Sequence, residues 1–378
     1  MTRTIVDISI LQTVPPSNIN RDDTGSPKSA LYGGVRRARV SSQAWKRATR
    51  LAFDKTLDRS ELGVRTKRVV ELLGERILEK DESLSEERAQ ELAKLVFEAA
   101  GIKLSAPRKS TKESPLPDES GYLLFLSGRQ LDQLAEAALE AHASEDASAS
   151  LKAAGLKKKL DTAHSVDIAL FGRMVAEATD LNVDAAAQVA HAISVHKVDN
   201  EFDYYTAVDD HKNKDDDEDA GAGMIGTVEF NSSTLYRYAT VDVDRLNDNL
   251  ENVEATRRAV EAFLSSFITS LPTGKQNTFA NRTLPDAVVV SLRESQPVNL
   301  VGAFEEAVST ERVETASERL VAYAQDIDQN FGTAPVKSWV VRVGSATDAL
   351  DQLGDKVTLS ELVAQLGEVV AERLAVKE

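Results

Sequence analysis

Two adjacent aspartates lie beside a group of basic residues near the start of the chain, and residues of both types act on phosphates in other proteins. Asp22 and Asp23 directly follow Arg21. Paired carboxylates can coordinate Mg²⁺ for phosphodiester cleavage, whereas aspartates in a turn-rich loop usually accept hydrogen bonds from the backbone of the turn. The turn role is the simpler interpretation, and a magnesium-dependent ribonuclease that uses Asp22 and Asp23 stays open as an alternative.

The basic residues that follow are concentrated in a short window. Residues 21–50 contain eight lysines and arginines against two aspartates, so they carry +6 and the rest of the chain carries −22 of a total of −16. Binding to a polyanion depends on where the cations lie more than on the total charge. A basic segment in an acidic protein is typical of a groove for nucleic acid, although a charge run can also be the solvated face of a helix.

Two further segments carry residue types that suit nucleic acid. Phe202, Tyr204 and Tyr205 lie in a polar segment, where exposed rings would stack on bases without reading their sequence. Lys275 and Gln276 lie in a turn with proline and glycine that could donate hydrogen bonds to phosphate oxygens. Each signal is weak by itself, because single aromatic residues are more often core or interface anchors.

The sequence disfavours several other kinds of site. The chain has no cysteine, which excludes disulfides, thiolate metal sites and cysteine nucleophiles, and its five histidines lack metal-ligand spacing. Gly221, Gly223 and Gly226 fit a G-x-G-x-x-G pattern, but the five consecutive carboxylates at residues 215–219 would repel a pyrophosphate. We therefore expect no catalytic residue, no metal and no cofactor, and we expect a solvated acidic loop.

The composition is that of a globular protein in water. Of 378 residues, 42% are hydrophobic and 28% are charged, and no apolar run reaches the ~18 residues of a membrane span. The residues after Met1 are typical of a strand rather than of a signal peptide. We therefore expect a cytoplasmic protein that does not associate with membranes.

The spacing of apolar residues predicts both strands and helices. Alternation predicts a half-buried strand at residues 4–11, and Ser41 or Ser42 is the predicted N-cap of a helix at residues 43–53. Helical periodicity over residues 66–143 predicts a helical insertion. Outside it, strands and helices alternate, which predicts an α+β fold with an antiparallel, ferredoxin-like or RRM-like core. The remaining predicted strands are 165–171, 226–240, 286–292 and 337–343, and the remaining predicted helices are 184–195, 249–270, about 300–330 and from 360 onward.

Seven short runs, taken in their order, carry a family resemblance. They are residues 20–23 with Lys28, residues 33–43 with Lys46 and Arg47, residues 166–174, residues 190–193, residues 204–210, Phe230 with residues 236–238, and residues 274–276. Together they resemble the CasC family, the Cascade backbone subunit of type I-E CRISPR systems. They cover the N-terminal sixth and most of residues 164–300, whereas the helical insertion and the C-terminal third match in pattern only.

The resemblance implies a fold and a function. The implied fold is an RRM-like (ferredoxin-like) palm at residues 1–60, 161–195 and 231–378, with a helical fingers insertion at residues 61–160 and a β-hairpin thumb at residues 196–230. The implied function is that of a protein without enzymatic activity, of which several copies stack head to tail along a guide RNA (crRNA) and present it to target DNA. Its implied partners are the large subunit, the small subunits and the crRNA-end subunits of Cascade, and a recruited helicase-nuclease that acts on the complex.

The resemblance also assigns roles to individual residues. Met174 would be an apolar wedge beside a displaced nucleotide, and residues 204–208 would belong to the thumb. A general single-strand RNA-binding module outside CRISPR systems is a further alternative. The RNA-binding residues that the resemblance implies are Arg21, Lys28, Ser41, Ser42, Gln43, Lys46, Arg50, Met174, Tyr204, Tyr205, Thr206, Val208, Lys275 and Gln276.

Overall fold

The computed structural model describes residues 2–111, 116–175, 178–207 and 224–377. Val208, Gly221, Gly223 and the acidic run at residues 215–219 lie outside the described residues. The chain forms two compact units, and each is contributed by separate stretches of sequence. Unit 1 consists of Met1–Ala52, Gln188–Asp242 and Phe263–Arg373, and unit 2 consists of Phe53–Ala187, Val243–Ala262 and Leu374–Glu378.

Strands and helices alternate along much of the described chain. The strands are β1 (Ile5–Ser17), β2 (Ser29–Tyr32), β3 (Val35–Val40), β4 (Gly63–Thr66), β5 (Leu104–Ser105), β6 (Glu119–Ser120), β7 (Leu124–Ser127), β8 (Ala187–Val189), β9 (Ala192–Ser194), β10 (Glu201–Ala207), β11 (Met224–Asp242), β12 (Ala287–Arg293), β13 (Lys337–Arg342) and β14 (Asp355–Lys356). The α-helices are α1 (Ser42–Ala52), α2 (Val69–Lys80), α3 (Glu86–Ala99), α4 (Gly128–Ala143), α5 (Ala147–Ala153), α6 (Leu156–Leu160), α7 (Val166–Phe171), α8 (Val243–Leu250), α9 (Val253–Thr269), α10 (Gln276–Phe279), α11 (Arg312–Phe331) and α12 (Leu359–Ala375). Among the described helices, none is both long enough and apolar enough for a membrane span.

Unit 1 is built on one large sheet. Its strand order is β14-β13-β12-β1-β11-β9-β3-β2, and β10 pairs with the first half of β11. The pairs along this order are antiparallel, except that β13 and β14 are parallel. The α+β class that the sequence predicts is confirmed, and the sheet is mixed rather than purely antiparallel.

Residues 5–12 of β1 are buried on both faces of the strand, so the prediction of a half-buried strand at residues 4–11 was wrong. Asp7, which alternation places toward solvent, accepts hydrogen bonds from Tyr238 Oη at 2.7 Å and from Arg293 Nε at 3.0 Å. The guanidinium of Arg293 also donates to Asp328 Oδ1 at 2.7 Å. Alternation of residue types could not reveal this burial, because the partners that satisfy Asp7 come from distant parts of the chain.

The helices α2, α3 and α4 confirm the helical periodicity of residues 66–143. Their apolar faces form the core of unit 2, in which Leu73, Phe97 and Leu134 are fully buried. Two short antiparallel pairs, β4 with β7 and β5 with β6, interrupt the helices. The insertion is therefore mostly rather than entirely helical.

Two predicted elements have the opposite type in the structure. The predicted strand at residues 165–171 is the helix α7, in which Asp167 Oδ1 accepts from Ser165 Oγ at 2.6 Å and from Gly63 N at 2.9 Å. The predicted helix at residues 184–195 contains the strands β8 and β9 instead. Both segments are short and apolar, and their sheet or helix neighbours rather than their own spacing decide the conformation.

Candidate nucleic-acid interface

The loop between β1 and β2 carries Arg21 and Lys28 and is tied to the start of α1. Lys28 N donates to the backbone oxygen of Asn20 at 2.9 Å, and the side-chain oxygen of Asn20 accepts from Ser41 N at 2.8 Å. Ser41 also caps the helix as predicted, because Ala44 N donates to its Oγ at 3.4 Å. Asn20 therefore fixes the position of the loop against the first turn of α1.

Asp22 closes the turn within this loop. Its Oδ1 accepts hydrogen bonds from Thr24 Oγ1 at 2.7 Å and from the backbone nitrogens of Thr24 and Ser26, both at 3.0 Å. These bonds, first of all the one from the Thr24 side chain, lower the pKa of Asp22 below its ordinary value. The predicted turn role of Asp22 is confirmed, while the magnesium role of Asp22 and Asp23 stays a prediction.

Basic side chains surround the N-terminus of α1. Ser42 N donates to His191 Nδ1 at 3.2 Å, and Arg39 Nη1 lies 3.3 Å from the same nitrogen. Burial, followed by the positive charges of Arg39 and Lys28, lowers the pKa of His191. The ring is therefore neutral at pH 7 and carries its hydrogen on Nε2. The sequence reasoning did not assign Arg39 or His191 to the site.

Helix α1 has one polar face and one buried aromatic face. Trp45 is fully buried and Gln43 is exposed on the opposite face, while Lys46 and Arg50 are half-buried beside that face. Partial burial lowers the pKa of Lys46. An amphipathic pattern would turn the apolar Leu51 toward the core, and in the structure its side chain is exposed instead. The helix thus carries one amide and two cations, and its first residue, Ser42, lies beside His191 and Arg39.

The turn that contains Lys275 and Gln276 packs against the loop between β1 and β2. A β-carbon added at Gly274 would lie 2.4 Å from the backbone oxygen of Ile19, so this close approach requires glycine. Lys275 has φ of +49°, a left-handed conformation that is strained for a residue with a side chain. A cleft of about 550 Å³ lies between residues 19–25 and Gly274. The structure therefore places Lys275 and Gln276 beside the basic loop.

The ribbon of β10 and β11 is anchored to the same loop at its base. The backbone oxygen of Glu229 accepts from Asn18 Nδ2 at 2.9 Å, and its carboxylate accepts from Ser26 Oγ at 2.8 Å. The ring of Phe230 lies 5.8 Å from that of Phe279, at the end of α10. Loop, ribbon and Lys275 turn thus form one connected structure in unit 1.

The two tyrosines of β10 lie on opposite faces of the ribbon. A β-carbon added at Gly226 would lie 2.5 Å from the ring of Tyr205, which covers this glycine and is 38% exposed. Phe202 and Tyr204 share the other face with Thr206 and are 68% and 62% exposed. The freely accessible rings are therefore Phe202 and Tyr204. Phe202 is absent from the set of RNA-binding residues that the resemblance implies.

Met174 belongs to unit 2, where its side chain is 85% exposed. Both of its neighbours, Arg173 and Val175, are buried. The guanidinium of Arg173 donates to the backbone oxygens of Leu181 and Leu160, each at 2.7 Å. The surrounding backbone is therefore fixed and presents an apolar side chain to solvent, which suits the predicted wedge.

The fold and the site define an α+β protein whose positive charge is concentrated around one loop and one helix start. The chain belongs to the family described as CT1975-like protein, whose model matches residues 6–365. The family assignment made from the sequence runs is thereby confirmed.

Two solved structures contain chains that are similar to this one. One, described as "CRISPR RNA-guided surveillance complex, pre-nicking", has a chain with 34% identity and a TM-score of 0.82, over 96% of this chain and 100% of that chain. Another, described as "CRISPR RNA-guided surveillance complex", has a chain with 30% identity and a TM-score of 0.70, over 96% of this chain and 99% of that chain. Among curated proteins, no match was found.

Proposed function

We propose that this protein is the crRNA-binding backbone subunit of a type I-E CRISPR Cascade complex. It oligomerises along the crRNA and presents it for pairing with target DNA in antiviral defence. The observation that carries this proposal is the cluster of Lys28, Arg39 and His191 around the N-terminus of α1, in a chain with a net charge of −16. The similarity of 96% of the chain to chains from CRISPR RNA-guided surveillance complexes supports it.

The polar groups of the loop and of α1 suit a protein that has to accept any guide sequence. Such a protein should hold phosphates and riboses, which every guide shares, and leave the base edges free for pairing. The ammonium groups of Lys28 and Lys46, the Ser42 hydroxyl and the Gln43 amide are donors of this general kind. The positive end of the α1 dipole adds to the attraction for phosphate.

Within this proposal, the parts of the molecule correspond to a hand. The sheet of unit 1 is the RRM-like palm, the helices of unit 2 are the fingers and the ribbon of β10 and β11 is the thumb. Phe202 and Tyr204 stack on bases held by a neighbouring copy, and Met174 separates two nucleotides. Because identical copies join head to tail, the contact does not close, and the guide and the end subunits limit the length of the array.

Charge reversal tests the proposal. Lys28→Glu, Lys46→Glu and Lys275→Glu in one chain should abolish the RNA that co-purifies with the complex, because each replaces a cation of the candidate interface by a carboxylate. Lys356→Glu is the matched control, since this exposed lysine lies on β14, at the opposite edge of the sheet from β2. Circular dichroism should show that both variants are folded, and RNA retention by the triple variant would contradict the proposal.

Sequencing of the co-purified RNA distinguishes the proposal from a general RNA-binding module. We expect short RNAs that share one constant flank and differ in the remaining sequence. RNAs without a common flank would favour the general module instead.

We further propose that the subunit has no catalytic activity. The three hydrogen bonds that Oδ1 of Asp22 accepts within its own turn favour a structural role. Incubation of the purified complex with matched RNA and Mg²⁺ should leave the RNA intact. Periodic cuts that disappear in Asp22→Ala or Asp23→Ala would show the ribonuclease instead.

A further inference from the structure

A buried arginine lies directly beneath α1. The guanidinium carbon of Arg237, on β11, is 3.8 Å from the centre of the Trp45 ring and 4.6 Å from that of Phe267. All three side chains are fully buried. Helix α1 turns Trp45 and Thr49 inward, so the guanidinium lies on the other side of this helix from the exposed Gln43.

The hydrogen-bond partners of Arg237 are neutral. Its Nη1 donates to Gln12 Oε1 at 2.5 Å and its Nη2 donates to the backbone oxygen of Phe267. Its Nε has no hydrogen-bond partner, and no carboxylate among the described residues forms a salt bridge with it. Burial lowers the pKa of Arg237 to about 9, so the group remains positive at neutral pH.

Arg293 in the same unit shows how a buried arginine is neutralised. It forms salt bridges with Asp7 at 3.0 Å and Asp328 at 2.7 Å. A buried charge is costly unless it is paired. The chain contains 61 acidic residues, and yet none of those described neutralises Arg237. Arg37 on β3 is likewise fully buried and bonded only to backbone oxygens, so what distinguishes Arg237 is its place against Trp45, beneath α1.

We propose that the buried, unpaired charge of Arg237 assists RNA binding by raising the positive potential at the outer surface of α1. This inference rests on the proposed function, because it requires a polyanion on that surface. An α-helix with its side chains is ~10–12 Å across, and the guanidinium lies 3.8 Å from the Trp45 ring on its inner side. The charge therefore acts on a phosphate over roughly 15 Å. Most of the path runs through protein, where salt screens a charge less than in water.

The most direct test places a carboxylate opposite the guanidinium. Gln12→Glu keeps the size of the side chain and puts a negative oxygen where Gln12 Oε1 now accepts from Arg237. It also loses the bond from Gln12 Nε2 to the backbone oxygen of Thr283 at 2.9 Å, so thermal unfolding is measured beside RNA binding. Arg237→Met removes the charge, and Arg237→Lys keeps it. Trp45→Phe loosens the packing under α1 and leaves all charges in place. Binding of a fluorescein-labelled single-stranded RNA of mixed sequence is measured for each full-length variant over a range of salt concentrations.

We expect Gln12→Glu and Arg237→Met to weaken RNA binding by about tenfold at low salt. This loss should shrink as the salt concentration rises, because ions in the solvent around the RNA screen its phosphates from the charge of Arg237. Arg237→Lys and Trp45→Phe should bind within about twofold of the unmodified protein. If Arg237→Met does not fold, Gln12→Glu still decides the question, since it retains the guanidinium.

The outcomes separate this inference from the proposed function. A loss of affinity that is the same at all salt concentrations, or that Trp45→Phe reproduces, would show that Arg237 acts through packing alone. Unchanged affinity in Gln12→Glu and Arg237→Met would overturn the inference while the RNA-binding role stands. If the unmodified protein does not bind RNA, or if Lys28→Glu, Lys46→Glu and Lys275→Glu leave binding intact, the proposed function itself fails.

Discussion

At the scale of single residues, the outer face of α1 offers a charged and a neutral donor for comparison. Gln43 and Lys46 are three residues apart on that face. Lys46→Ala should lower the slope of log affinity against log salt by about one unit, because a cation that neutralises a phosphate releases a counterion. Gln43→Ala should cost about 0.5–1.5 kcal/mol without a change in slope. Binding titrations at several salt concentrations measure the affinity and the slope. A slope for Lys46→Ala equal to that of the unmodified protein would contradict a phosphate contact at Lys46.

His191, which accepts a hydrogen bond from the first residue of α1, should make RNA binding depend on pH. Burial and the charges of Arg39 and Lys28 hold the pKa of His191 below 6.5, so the free protein has a neutral ring at pH 7. A bound phosphate favours the protonated ring, so binding takes up a proton and strengthens as the pH falls below 7. We expect this trend in the unmodified protein and a flatter profile in His191→Gln. The same pH dependence of RNA affinity in His191→Gln and in the unmodified protein would show that His191 does not face the RNA.

His191 also shows why part of the site could not be predicted from the sequence. It accepts from Ser42 N across 149 positions of sequence, and nothing in its local spacing indicates a partner. The basic window at residues 21–50 could be read from the sequence, whereas the RNA-binding roles of Lys28, Ser42 and Lys46 come from the family resemblance. The burial of Arg237 could not be predicted for the same reason, since its contacts are with Trp45 and Gln12 on other elements.

At the scale of elements, a helix or strand could be predicted where its own residues carry a cap and a long apolar pattern, and could not where the segment is short. Helix α1 has a serine cap and a long amphipathic pattern, so its bounds follow from its own residues. Strand β9 has three residues and is held by β3 and β11. The alanine-rich segment around it has good helix propensity, and the pairing with these two strands overrides that preference.

The ribbon of β10 and β11 provides a prediction in which two tyrosines behave differently. Tyr204→Ala should reduce the affinity for RNA by ~1–3 kcal/mol, because its exposed ring can stack on a base. Tyr205→Ala should affect mainly the stability of the ribbon, since this ring covers Gly226. RNA binding and thermal unfolding should be measured for both variants, with Phe202→Ala expected to resemble Tyr204→Ala. Equal losses of affinity in Tyr204→Ala and Tyr205→Ala would contradict the two-faced ribbon.

At the scale of the whole molecule, the proposed head-to-tail contact determines how the assembly grows. The family assignment and the basic segment could be predicted from the sequence, whereas the surfaces that join neighbouring copies depend on the folded units. An open contact between identical copies has no fixed number of subunits, in contrast to a closed ring. The length of the bound RNA should therefore set the size of the array.

Mass measurement of the purified protein with single-stranded RNAs of increasing length tests this growth. We expect the mass to rise in steps of one 41.1 kDa chain as the RNA lengthens, because each copy covers a constant number of nucleotides. A variant that combines Phe202→Ala and Tyr204→Ala should bind with lower affinity, since its ribbon no longer stacks on the bases held by the next copy. At each RNA length, more of its assemblies should then contain fewer chains than the RNA can hold. An assembly whose mass is the same on every RNA would indicate a closed oligomer and contradict growth along the guide.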